Sequence, residues 1–134
     1  MNLKLIGRII AGLLALLLVY SASTYLFNLD TAAEFSSVVG SDNWGRANIR
    51  ANMGGPMLFV AVVYLFGAIG GRTKFVHVGI FYFISVIIGR VISLISDGFD
   101  PGNMRGIVFA GVMLVVNLVA FFLMDRGDKA AESA

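Results

Sequence analysis

Four apolar runs, each long enough to cross a lipid bilayer, fill most of this 134-residue chain. They cover about residues 5–27, 52–70, 75–96 and 105–124. A helix of about 20 apolar residues matches the hydrocarbon thickness. Within hydrocarbon each backbone N–H and C=O must be satisfied internally, which a helix does alone. The fold class expected is therefore all-α: an integral membrane four-helix bundle, built as a single domain over residues 1–134.

Composition agrees and removes several chemistries. Hydrophobic residues make up 58% of the chain and charged residues 13%, against about 25% charged in a soluble domain. The mean hydropathy is +0.88. Cysteine is absent, which excludes disulfides, thiol nucleophiles and thiolate metal sites. The single histidine, His77, excludes a bis-histidine haem or a His-rich zinc site within one chain. No cofactor and no metal is expected. A dispersed net charge of +2 does not point to nucleic acid.

The first run follows Lys4 and Arg8 and ends near Ser21-Ala22-Ser23, the outline of a signal peptide. It is longer than the usual core of about 7–15 residues, so it reads as a retained span. Gly7, Ala11 and Ala15 recur every four residues on one face and admit a close helix neighbour. The second run opens with Gly54-Gly55-Pro56, where proline removes a backbone donor, and closes with Gly67-x-x-x-Gly71, a close-packing spacing. The link Gly71–Lys74 is so short that spans two and three must be antiparallel neighbours. Ser96 to Asn103 is a dense run of turn formers between spans three and four.

Lys and Arg orient the bundle. The termini and the Gly71–Lys74 link carry Lys4, Arg8, Arg72, Lys74, Arg126 and Lys129; the opposite side carries Arg46, Arg50 and Arg105. The bias predicts cytoplasmic termini in a bacterial inner membrane. The outward segment 28–51 contains Thr31-Ala32-Ala33-Glu34, a capping-box pattern, followed by Phe35, Val38 and Val39 at helical spacing. A short interfacial helix is expected there, ended by Gly40-Ser41. Asp42 is placed to cap a second helix leading through Arg46, Ile49 and Arg50 into span two, with Trp44 in the aromatic belt.

Arg90 lies inside the third run. A charge at that depth either snorkels and pairs as a structural anchor or meets a ligand. Arg90, Ser93 and Asp97 share one helix face, and Asp97 is the first candidate partner for Arg90, with the loop acids Asp30, Glu34 and Asp42 as alternatives. The topology gathers Arg50, Asn52, Arg90, Ser93 and Asp97 toward the outer leaflet, and these five form the candidate ligand-binding set. Asn117 in span four must find a partner in lipid and should face the bundle. His77 sits at the opposite interface. Met57, Phe59, Tyr64, Phe66, Phe81, Tyr82 and Phe83 either line an apolar cavity or face lipid and neighbouring helices.

Arg50-Ala51-Asn52-Met53-Gly54-Gly55, with Gly89-Arg90-Val91-Ile92-Ser93-Leu94 and Asp97-Gly98, resembles a bacterial family of small four-helix membrane proteins known only as a domain of unknown function. More distantly the layout is similar to DoxX-type proteins, some of which are linked to respiratory quinone or redox complexes. An acidic residue expected after the family's Arg-Ala is Asn52 here. The resemblance implies a quinone-like ligand or a place in a membrane complex, although a four-helix layout alone carries no function.

Three functional classes remain. The first is a non-enzymatic module that binds a lipid- or quinone-like amphipathic ligand in an outer-leaflet polar pocket, or serves as an accessory subunit of a membrane complex or a homo-oligomer. The second is a small oligomeric transporter, which needs an ionisable group at the midplane; Arg90 is the only charge offered. The third is an intramembrane hydrolase. Ser93 and His77 stand sixteen residues apart, about 24 Å of helix, which defeats catalysis within one chain.

Overall fold

The computed structural model describes residues 2–36 and 42–132. Val38, Val39 and the Gly40-Ser41 stop expected after them lie outside the described residues. The described elements are α1 (Leu3–Phe27), α2 (Leu29–Ser36), α3 (Asn43–Ile49), a π-helical turn (Arg50–Gly54), α4 (Gly55–Gly70), α5 (Thr73–Ser96) and α6 (Pro101–Glu132). The α3 helix, the π-turn and α4 run on as one rod, Asn43–Gly70. Four rods are thus long and apolar enough to cross a membrane. The protein is an all-α integral membrane four-helix bundle.

Local sequence explains the breaks. Asn2 accepts a hydrogen bond from the Leu5 N–H and caps α1. Asn28 ends α1 and its side chain also accepts from Thr31 N–H. That makes Asn28, rather than Thr31, the cap of α2, and the helix starts two residues before the capping box. Asp42 accepts from Gly45 N–H at 2.7 Å and caps α3 as expected. At the π-turn, Gly55 N–H reaches back to Arg50 O. Pro56, lacking an N–H, cannot bond the carbonyl four residues earlier, and a one-residue widening accommodates the loss. Gly71 caps α4 at φ 61°, left-handed backbone suited to glycine. Pro101 opens α6 at the first helical position, where its missing donor is harmless.

Each long rod packs on two others: α1 on α4 and α6, and α5 on α4 and α6. The order around the bundle is therefore α1, α4, α5, α6. Small residues make this closeness possible. Gly7, Ala11 and Ala15 are all buried, as their spacing predicted. A Cβ on Gly7 would stand 2.7 Å from Ala120 O on α6. One core cluster, toward the termini, contains Ala11, Ala15, Tyr64, Val76, Ala120 and Met124. A second, toward the loops, joins Leu18, Val60, Ala61, Phe83 and Ala110. Outside, Leu13, Phe59, Phe66, Phe81 and Ile95 are each more than 60% exposed. That is the belt a bundle turns toward acyl chains, and it assigns Phe59, Phe66 and Phe81 to the outer face.

The beginning of α1 and the end of α6 meet, because Lys4 and Asp128 form an ion pair at 2.5 Å. The start of α1 and the last turns of α6 thus lie at one end of the bundle, the terminal end. The α2 and α3 helices and the α5–α6 link mark the other, the loop end. Leu29 and Ala32 of α2 are buried, so this short helix packs down on the bundle.

Candidate functional site

Polar side chains collect at three levels. At the terminal end, Arg8 Nε donates to Ala68 O at 2.8 Å, and its Nη2 donates to Ile69 O. The guanidinium thereby caps the carbonyl end of α4, where a positive charge also complements the helix dipole. Asp128 is shared by the Lys4 ammonium and the Thr73 hydroxyl, the latter at 2.6 Å. These contacts tie α1, α5 and α6 together. Asp128 lies one turn past Met124, beyond the apolar run. The hydrogen bonds from Lys4 first and Thr73 second hold its carboxyl below the ordinary carboxylate range, against a smaller opposing effect of burial.

A carboxyl depressed in the fold stabilises it above the unfolded-chain pKa, about 3.9 for Asp, and the stabilisation is lost as pH falls through the lower folded value. We expect thermal stability to fall on acidification below about pH 4, and Asp128→Asn to remove part of that fall while leaving a constant loss at neutral pH. Thermal unfolding in micelles across that range is the check; parallel curves for the two proteins would exclude the Lys4–Asp128–Thr73 contacts as its origin.

In the middle, Tyr64 on α4 donates its hydroxyl to Asn117 Oδ1 on α6, and Asn117 Nδ2 donates to Met113 O at 3.0 Å. Both side chains are fully buried. Gly79 on α5 faces them with no side chain of its own; a Cβ there would fall 2.6 Å from Asn117 Oδ1. Asn117 does face the bundle, and its partner is Tyr64, the one of the grouped aromatics that packs between helices with its hydroxyl hydrogen-bonded. His77 is exposed at the terminal end, beside the Phe121 ring at 4.4 Å.

At the loop end the candidate set divides. Arg50 Nε donates to Leu26 O at 3.0 Å and caps the end of α1. Asn52 is exposed on the same π-turn. Both belong to the α1/α4 side. Arg90 belongs to the α5/α6 side, the opposite seam of the ring. There its Nη1 donates to Asn103 Oδ1 at 3.3 Å, while Asn103 Nδ2 donates to Arg90 O at 3.0 Å. The guanidinium rests on Gly106, so closely that any Cβ would occupy its place. Asp97, the first expected partner, instead accepts the Ser93 hydroxyl at 2.8 Å. Among the described residues no carboxylate lies within ion-pair distance of Arg90.

The site is therefore Arg90, Asn103 and Gly106, with the Ser93–Asp97 pair above it on α5. Asn103 entered the sequence reading only as a turn former, and Gly106 not at all. Their signal was present: a link of four residues returns α6 against α5, and an amide and a glycine three residues apart on the returning helix form a seat for a guanidinium. Asp100 fixes that return by accepting from Asn103 N–H at 2.7 Å. No group of three or more potential metal-ligating side chains occurs among the described residues. No protein-family model, curated protein or solved structure matches this chain.

Proposed function

We propose that this chain is a non-catalytic membrane module that holds a lipid- or quinone-like amphipathic ligand by its polar head, at the loop end of the α5/α6 seam. One observation carries this reading. Arg90 is a half-buried cation at the edge of an apolar bundle, seated on Gly106, and its partner is a neutral amide. A guanidinium has five donors; one of them is used on Asn103. Charges inside membranes pair or mark binding sites, and a ligand head that accepts hydrogen bonds is the missing partner.

The same reading includes a bacterial inner membrane, with the terminal end cytoplasmic and the loop end outside. It also includes an accessory role within a membrane complex or homo-oligomer, in line with the likeness to small four-helix families. The rival transporter needs an ionisable group at mid-bilayer. Tyr64 and Asn117, the buried polar pair there, are neutral at physiological pH, which favours the binding module.

Arg90→Leu is expected to lower bound-lipid occupancy about tenfold relative to Arg105→Leu, the scale of a lost charge-assisted hydrogen bond. Native mass spectrometry of the purified proteins reads it. Stability of the delipidated protein should change little, because Asn103 is neutral and no carboxylate is stranded. Equal occupancy in both variants would leave Arg90 a snorkelling anchor.

Orientation has its own test in this cysteine-free chain. A membrane-impermeant maleimide added to intact cells should label Asp42→Cys and spare Ala131→Cys. The opposite pattern would invert the bundle.

A further inference from the structure

Resting on the ligand-binding reading above, we propose that the head group held at Arg90 is zwitterionic: an ethanolamine-type phospholipid, with its phosphate on Arg90 and its ammonium on Asp97.

The depth order of the charges carries this. Arg90 is level with Asn103 and Gly106, two and five residues into α6, so its guanidinium sits about 3–8 Å below the start of that helix. Asp97 closes α5, in the link that joins the two helices at their loop ends. Moving outward from the apolar interior, a cation comes first and an anion second. A phospholipid in that leaflet presents acyl chains, then phosphate, then amine. The signs are opposite at each level.

Both protein charges also lack a counterion. Arg90 meets only an amide. Asp97 accepts the Ser93 hydroxyl, yet no cation lies within ion-pair distance of it among the described residues. Its position at the C-cap of α5 sets a negative charge against the negative end of the helix dipole, which an ammonium would offset. Asp100 adds a second carboxylate in the same link. A purely anionic head would satisfy Arg90 but meet these two acids. A quinone carbonyl would satisfy Arg90 and leave Asp97 unanswered. On the bilayer side of Arg90 and Gly106, Ile88 of α5 and Val108, Phe109 and Val112 of α6 are exposed apolar surface for the chains.

The test offers the full chain equimolar dioleoyl phosphatidylethanolamine and dioleoyl phosphatidylglycerol in mixed micelles, and reads retained lipid by native mass spectrometry. The wild type should retain the ethanolamine lipid in about five-fold excess, the scale of a weak ion pair. Asp97→Asn keeps the Ser93 hydrogen bond, is exposed, and should bring the two lipids toward equality without reducing total lipid. Arg90→Gln should lose both. Equal retention of the two lipids by the wild type, with loss still seen in Arg90→Gln, would overturn the zwitterionic assignment and leave the binding site standing. A preference that persists in Asp97→Asn would also overturn it. No loss in Arg90→Gln would remove the binding site itself. Soluble glycerophosphoethanolamine at the same concentration should not displace the lipid; displacement would make the ligand a water-borne one.

Discussion

Gly79→Ala should be among the most damaging single-methyl changes in this protein, whereas Gly89→Ala, ten residues further along the same helix, should be harmless. The first methyl would stand 2.6 Å from Asn117 Oδ1 and 2.7 Å from Tyr64 Cε2. Neither neighbour can yield easily, because both are fully buried and hydrogen-bonded to each other. Overpacking of this kind costs about 1–3 kcal/mol, and displacing the Tyr64–Asn117 hydrogen bond adds about 0.6 kcal/mol, the average measured between membrane helices. The gain in helix propensity from Gly to Ala, at most about 1 kcal/mol, works against the loss and does not cancel it. At Gly89 a Cβ meets nothing within 4 Å, so only the propensity gain remains. Thermal unfolding in the same detergent should separate the two variants by several degrees. Equal melting temperatures would mean that α5 does not press on the Tyr64–Asn117 pair.

Arg8→Met should cost about 2 kcal/mol, with Arg72→Met nearly silent. Arg8 supplies two charge-assisted hydrogen bonds to the Ala68 and Ile69 carbonyls at the end of α4. Those carbonyls are among the last four of a helix and have no partner within it. Methionine preserves the apolar stem and removes the donors, so the loss reads the cap rather than packing. Arg72 is exposed in the link and serves as the control for simple loss of positive charge. Water at the interface can replace part of the cap, which keeps the expected loss near the lower end of the range for charged hydrogen bonds. Equal losses from both variants would assign the effect to interfacial charge instead.

The span count, the antiparallel pairing across Gly71–Lys74 and the packing face of α1 were all legible in the residue order. Each rests on one-dimensional physics: hydrocarbon thickness counts residues, and a 3.6-residue period chooses a face. Caps were legible as well, because their partners lie within three residues, as with Asp42 and Gly45. The α2 start moved from Thr31 to Asn28 since an asparagine ending one helix was free to begin the next.

The partnerships between helices belonged to the tertiary structure. Arg90, Ser93 and Asp97 share a face, yet sharing a face on one helix does not make an ion pair when a neighbouring helix offers a nearer acceptor. Asn103 arrives thirteen residues later because the α5–α6 link folds back, and Gly106 arrives with it to leave room. In the same way, topology sends Arg50 and Arg90 to one end of the bundle, but the ring order α1, α4, α5, α6 sets them on opposite seams. The one-dimensional pattern determined depth, because depth is counted along each helix. Rotation of each helix about its axis, and the choice of its neighbours, came from packing small residues against large ones across the bundle. That rotation decides which polar groups meet.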